Sequence, residues 1–189
     1  MKHARFTHAF PDSRLQSGIR DIYETSFPSD ERRHFDDVVR IAETEPEFSS
    51  DIYTEDGDVL GFILSWHFSF FLYVEHFAIC RNMRGKGYGK TIFADFLTRA
   101  DQPVVLEVQL PEDDTSRRRI CFYESFGSTR STFPYLQPPY SPDKHPVPLS
   151  LMSFGNLDLN RKKQFDAVRD VLYSKVYGVK TDNVDYTQT

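Results

Sequence analysis

Three glycines fall within the six residues Arg84-Gly85-Lys86-Gly87-Tyr88-Gly89, and what flanks them restricts the possible folds most. The apolar run Phe77-Ala78-Ile79-Cys80 precedes them and reads as a strand. Thr91 to Arg99 follows, with Ile92, Phe93, Phe96 and Leu97 at helical spacing. A strand therefore enters a glycine-rich turn, and the turn opens a helix. A helix start leaves backbone N–H groups without partners, and its aligned dipoles favour negative charge there. Glycine lets main chain approach a ligand with no Cβ in the way. Together these make a phosphate or diphosphate cradle. Arg84, Lys86 and Lys90 add positive charge to it.

The rest of the chain supplies a mixed α/β frame. Leu15, Ile19, Ile22 and Tyr23 predict an amphipathic helix over Ser13 to Ser26, closed by Phe27-Pro28. A shorter helix is expected from Phe35 to Glu43, ending before Pro46. Asp51 to Thr54 and Val59 to Phe68 read as strands joined at Asp56-Gly57, a tight-hairpin signal. A third strand, Phe71 to Ile79, completes an antiparallel meander. Val104 to Val108 is a near-continuous apolar run, as in a strand buried on both faces. Asp114 or Thr115 can cap a helix running to about Phe126, where Gly127 stops it. Pro134 to Pro148 holds six of the eleven prolines and reads as a stiff loop before a strand, Val147 to Phe154. Arg161 to Tyr177 predicts a last helix, and residues 178–189 a loose tail. A single domain over 1–177 is expected.

Composition narrows the function. The formal net charge of −5 argues against a general nucleic-acid binder, which needs a basic surface. The longest apolar-rich stretch, Val59 to Cys80, is interrupted by Ser65, His67, Ser69, Glu75 and His76, so no membrane span is expected. Met1 to Phe10 lacks the apolar run of a signal peptide. Cys80 and Cys121 read as free thiols packed in a core. A reducing cytoplasm is the expected location, with the chain as monomer or homodimer. His67 and His76 offer no zinc spacing, so no metal is expected.

Two anion cradles compete for the turn. A Walker A loop needs G-x-x-x-x-G-K-[ST]. Gly89-Lys90-Thr91 supplies its end, but the first glycine would fall at Arg84. The pattern R/Q-x-x-G-x-G/A is filled at every fixed position by Arg84, Gly87 and Gly89. Here the sequence resembles the GNAT superfamily of N-acetyltransferases. Upstream, Val74 to Ile79 is similar to that family's fourth strand. Downstream, Phe122-Tyr123-Glu124-Ser125-Phe126-Gly127 is similar to its FYE-x-x-G helix end. The likeness spans roughly Asp12 to Phe154. Two positions depart from it: Ser116 stands where many relatives have an Asn on the pantetheine arm, and Ser128 where an aromatic is usual.

The resemblance implies a mainly antiparallel sheet flanked by helices and splayed between its fourth and fifth strands. It implies direct acetyl transfer from acetyl-CoA to a primary amine. Backbone of Phe77, Ala78 and Ile79 would pair with the pantetheine arm. Amides of Gly85, Lys86, Gly87, Tyr88, Gly89 and Lys90, beside Arg84, would hold the diphosphate, and Ser116 would touch the arm. Tyr123 stands where the family often has a tyrosine near the cofactor sulfur, and its phenol, with a pKa of about 10, can donate a proton at neutral pH.

The amine must lose a proton to attack, so a base is needed. Glu75 and His76 are adjacent on a strand and should point to opposite faces. Glu75 is the favoured base, sharing a side with Phe77 and Ile79, while Glu107 on the next strand is the second candidate. The segment Phe27 to Arg33 and the proline-rich loop are expected to shape the acceptor pocket, with Asp30 or Glu31 drawing a polyamine or lysine. Two other readings stand beside the enzyme: an inactive CoA-binding sensor and a P-loop nucleotide phosphotransferase.

Overall fold

The computed structural model describes residues 1–7 and 9–179; the expected loose tail falls outside them from residue 180 on. The chain divides into two compact units, Met1–Glu107 and Val108–Thr189.

The first unit carries β1 (Lys2–Thr7), α1 (Ser13–Ser26), α2 (Phe35–Thr44), β2 (Phe48–Glu55), β3 (Asp58–His67), β4 (Leu72–Ile79), α3 (Tyr88–Arg99) and most of β5 (Val104–Gln109). β1, β2, β3 and β4 pair antiparallel in that order. β5 then adds to β4 in parallel, through Leu72–Val74 against Val104–Leu106. β4 runs five residues past that last rung, to Ile79, so the expected splay begins at Glu75.

Local chemistry explains most of these elements. Asp56 and Gly57 sit at φ 52° and 87°, both left-handed, which gives the hairpin turn the twist its strands need. Asp12 caps α1 by accepting hydrogen bonds from the N–H groups of Arg14 and Leu15, each 3.1 Å. α1 buries Ile19, Ile22 and Tyr23. Gly18 lets it lie close on β3, since a Cβ there would stand 3.0 Å from Val59 Cγ2. Under the helices lies a core of Phe62, Ile63, Leu64, Phe93, Phe96 and Val105. Burying each such side chain stabilises the fold by about 1.5–3 kcal/mol.

β1 was not foreseen from the sequence. Its single large apolar residue, Phe6, gives no alternating pattern. Charge fastens it instead. Asp51 on β2 is fully buried and accepts from Arg5 directly opposite, from His3, and from Arg99 in the last turn of α3. Arg99 also donates to Tyr53 Oη (2.8 Å), and Tyr53 donates to Asp95 (3.0 Å).

The second unit holds α4 (Asp114–Glu124), β6 (Thr129–Arg130), β7 (Tyr135–Gln137), β8 (Val147–Phe154) and α5 (Lys162–Val171), which runs into a wider π turn, Leu172–Val176. β6 and β7 each pair antiparallel with β8. The proline-rich stretch thus contains a short strand. Leu151, Met152, Phe165, Val168 and Leu172 fill this unit's core. Both cysteines are free, but Cys121 is exposed and Cys80 half-buried, against the expectation of packed thiols. The buried face of α4 is Ser116, Ile120 and Tyr123, and Cys121 lies one position off it.

Candidate active site

Main-chain geometry builds the cradle at the start of α3. Gly85 and Gly87 sit at φ 76° and 89°, where a side chain would be strained. A Cβ placed on either would meet no protein atom within 4 Å, so both glycines face open space. Gly87 is the residue before the helix, and no side chain caps α3. Its first amides, at Tyr88, Gly89 and Lys90, therefore start the helix without the side-chain acceptor that α1 has. Lys86 and Lys90 are exposed beside them.

Arg84 does something the motif did not reveal. Its Nε donates to the Ile79 carbonyl (2.9 Å) and its Nη2 to Ser26 Oγ (2.7 Å). The guanidinium lies back along the turn and ties it to the end of β4 and the last residue of α1. Tyr88 donates its hydroxyl to Glu55 (2.8 Å), which tethers the turn on its other side. Phe77 is half-buried and its ring stacks on Phe93, 5.4 Å between centroids. Ala78 and Ile79 are buried, and they run close to Gly61 of β3, where a Cβ would stand 2.6 Å from the Ala78 carbonyl oxygen.

The expectation that Glu75 and His76 point to opposite faces assumes a regular strand. β4 is not regular there. Ser65 pairs with Val74 and Leu64 with His76, so Glu75 is an inserted bulge residue and the alternation breaks at it. The Glu75 side chain is 1% exposed. Arg33 Nε donates to its Oε1 (3.0 Å) and the Trp66 indole N–H to its Oε2 (2.7 Å). The Arg33 backbone N–H donates to Tyr23 Oη (2.9 Å), and that hydroxyl is hydrogen-bonded to His76 Nε2, 3.1 Å away. Arg33 therefore links both residues through one network. Burial pushes the His76 imidazole down to about 4, so it is neutral at pH 7. The same burial, with Glu75 nearby, pushes the Tyr23 phenol far above its ordinary value.

Ser116 and Tyr123 lie on α4, in the second unit. The Ser116 hydroxyl is engaged in a capping box: it accepts from the Asp113 N–H (3.1 Å), and the Ser116 N–H donates to Asp113 Oδ1 (2.7 Å). Tyr123 is 7% exposed, with its ring edge-on to Phe154. Desolvation pushes its phenol up to about 12, against a smaller opposing pull from Arg119. Of the Arg117-Arg118-Arg119 triplet, Arg117 pairs with Asp114 and Arg119 donates to Gln109. Glu107 is half-buried on β5. Tyr53 is 0% exposed and belongs to the Asp51 network.

Sequence reasoning passed over Tyr23 and Ser26 as working residues, and it placed Arg32 at the acceptor pocket only as part of the segment Phe27 to Arg33. They are brought to the site by pairings 42 to 58 residues apart, or lie beside residues that are. No local spacing announces such contacts.

Comparison with known proteins agrees with this geometry. The profile of the acetyltransferase (GNAT) family matches residues 17–127. A solved structure from Bacteroides thetaiotaomicron, assigned as an acetyltransferase of the GNAT family, superposes with a TM-score of 0.86 at 33% identity, covering 95% of this chain and 100% of that one. Escherichia coli ElaA shares the fold at 14% identity, with a TM-score of 0.60 over 82% of this chain and 100% of its own. YjbC of Bacillus subtilis (strain 168), assigned as an acetyltransferase, is 32% identical over 77 residues, which is 40% of either chain. The chain belongs to the acetyltransferase (GNAT) family. That family transfers acyl groups, generally from acetyl-CoA, and membership sets aside the P-loop phosphotransferase reading. No helix among the described residues is long and apolar enough to cross a membrane.

Proposed function

We propose that the chain moves the acetyl group of acetyl-CoA directly onto a primary amine. The observation that carries this reading is the turn from Arg84 to Lys90. Two left-handed glycines facing open space lead into a helix start that no side chain caps. Such a nest fits a diphosphate, and two exposed lysines add charge to it. The β4 backbone at Phe77, Ala78 and Ile79 is the proposed partner of the pantetheine arm. One of its N–H groups would polarise the thioester carbonyl as negative charge develops on oxygen.

The amine nitrogen attacks the thioester carbon, the C–S bond breaks, and the products are an amide and the CoA thiol. The nitrogen must shed a proton, and Glu75 is the proposed acceptor. Arg33 and Trp66 each hold one carboxylate oxygen, which fixes its orientation. Tyr123 is the proposed donor to the departing sulfur; with its pKa pushed up to about 12 it keeps its proton at neutral pH. The hydroxyl and the N–H of Ser116 are both engaged by its helix cap, so its proposed contact with the arm is one of packing.

Calorimetry with acetyl-CoA, followed by thiol release across a panel of amines, tests the reading. Heat of association and turnover are expected, with Tyr123→Phe keeping the heat and losing most of the turnover. Heat without turnover on any amine would make the chain a CoA sensor. No heat at all would remove the diphosphate nest.

A further inference from the structure

The segment between α1 and α2 carries two adjacent arginines whose circumstances differ. Arg33 is paired with Glu75, so those two charges cancel. Arg32 is half-buried, and its Nε donates to the Phe27 carbonyl (3.1 Å). Its guanidinium carbon stands 6.0 Å over the ring of Tyr23. That ring is edge-on to His76, 4.8 Å between centroids, beside the Glu75 bulge. Among the described residues, neither terminal nitrogen of Arg32 has a hydrogen-bond or ion-pair partner. The side of the guanidinium that includes Nε is occupied. What remains is the end bearing Nη1 and Nη2, a planar fork whose spacing matches the two oxygens of a carboxylate.

We infer that the acceptor is an amine that also carries a carboxylate, and that Arg32 binds this carboxylate through its terminal nitrogens. The inference rests on the acetyl-transfer reading and deepens it. Two observations point the same way. The guanidinium is already oriented by Phe27 and Tyr23, so little side-chain freedom is lost when an anion docks. Glu75 is paired with Arg33, while the terminal nitrogens of Arg32 beside the bulge have no acidic partner among the described residues. The Arg32 charge disfavours a purely cationic acceptor such as a polyamine, the opposite of what Asp30 and Glu31 suggested in the sequence. A substrate carboxylate supplies that partner, while the positive field favours the neutral, nucleophilic form of its amine. Arg32 is thus a specificity-determining residue for the acceptor.

The test uses the full chain with acetyl-CoA and matched acceptors: free amino acids and dipeptides, each against its C-terminal amide and its decarboxylated amine. Thiol release gives kcat/KM for each. The carboxylate-bearing member of at least one set is expected to be preferred by about tenfold or more, the range of one charge-assisted hydrogen-bonded pair. Arg32→Gln should collapse the ratio toward one, and Arg32→Lys should keep part of it. Arg40→Gln, which removes a positive charge paired with Asp37 on α2, should leave the ratio alone and so controls for general field effects. Turnover with no carboxylate preference, or a preference that survives Arg32→Gln, overturns the inference while acetyl transfer stands. Binding of acetyl-CoA with no turnover on any amine removes the transfer reading, and this inference with it. A thermal melt of each variant shows whether a lost ratio comes from lost folding.

Discussion

The first unit buries two carboxylates, and they are kept in different ways. Asp51 lies in a regular stretch of β2, with Arg5 opposite it, His3 beside it and Arg99 arriving from α3. Three basic side chains converge on one acid. Glu75 lies at a bulge in β4, with one arginine and one neutral indole donor. The first arrangement is a fastening: it joins an edge strand with little apolar surface to the sheet and to a helix. The second sits where the strand is irregular, beside a buried histidine and a phenol, and is the proposed base. A buried charge alone does not mark chemistry. What separates the two is whether the strand is regular at the acid.

Four measurements can break or sharpen this contrast. Asp51→Asn leaves three basic groups around an uncharged amide and should cost about 3–5 kcal/mol in urea unfolding. Its kcat, measured where the protein is still folded, should change little. Glu75→Gln should behave the other way. Thiol release is expected to fall about a hundredfold, or about 2.7 kcal/mol of barrier, with a smaller loss of stability. If Glu75→Gln unfolds the chain as readily as Asp51→Asn and the surviving protein turns over normally, both acids are fastenings and the contrast fails.

Acidity supplies the third measurement. His76 titrates near 4 in the fold and at about 6.5 in the unfolded chain. The unfolded chain therefore takes up the proton first as pH falls. Stability is intact above pH 6.5 and is lost progressively between 6.5 and 4, by about 2 kcal/mol from pH 7 to pH 5. Urea midpoints at the two pH values check this, and His76→Gln should flatten the difference. The smallest effect belongs to Ser26→Ala, which removes one of two hydrogen bonds bracing Arg84. The KM for acetyl-CoA should rise about threefold, with kcat and melting temperature nearly unchanged. A large drop in melting temperature would make that brace a fastening of the first kind.

Much of this was legible in the sequence, for reasons that can be named. The glycine turn, the Asp56-Gly57 hairpin, the span of α1 and the strand Val147–Phe154 all depend on residues close together in the chain, and each was read correctly. β1 was not, because Lys2, His3, Ala4, Arg5 and Thr7 carry no apolar alternation and their partners lie on β2. The bulge at Glu75 was also hidden, since it exists only in the register against β3. That single offset reversed the inference that Glu75 and His76 must face apart. Arg84 was recognised by its motif, but its partners within the fold were not foreseen. Its type fits a phosphate contact, yet in the fold it is held by a carbonyl and a serine.

The posture of Arg84 has a practical consequence at the bench. That guanidinium is held by a carbonyl and a hydroxyl, which fix its position beside Lys86 and Lys90 but leave its charge intact, on a chain whose formal charge is −5. In the proposed nest the main-chain amides would add short-range, directional contacts, which dissolved ions shield poorly. Raising sodium chloride from dilute buffer to physiological strength should therefore weaken CoA capture only gently. Arrival of the nucleotide should be slow beside that at sites that draw their ligands in by long-range attraction.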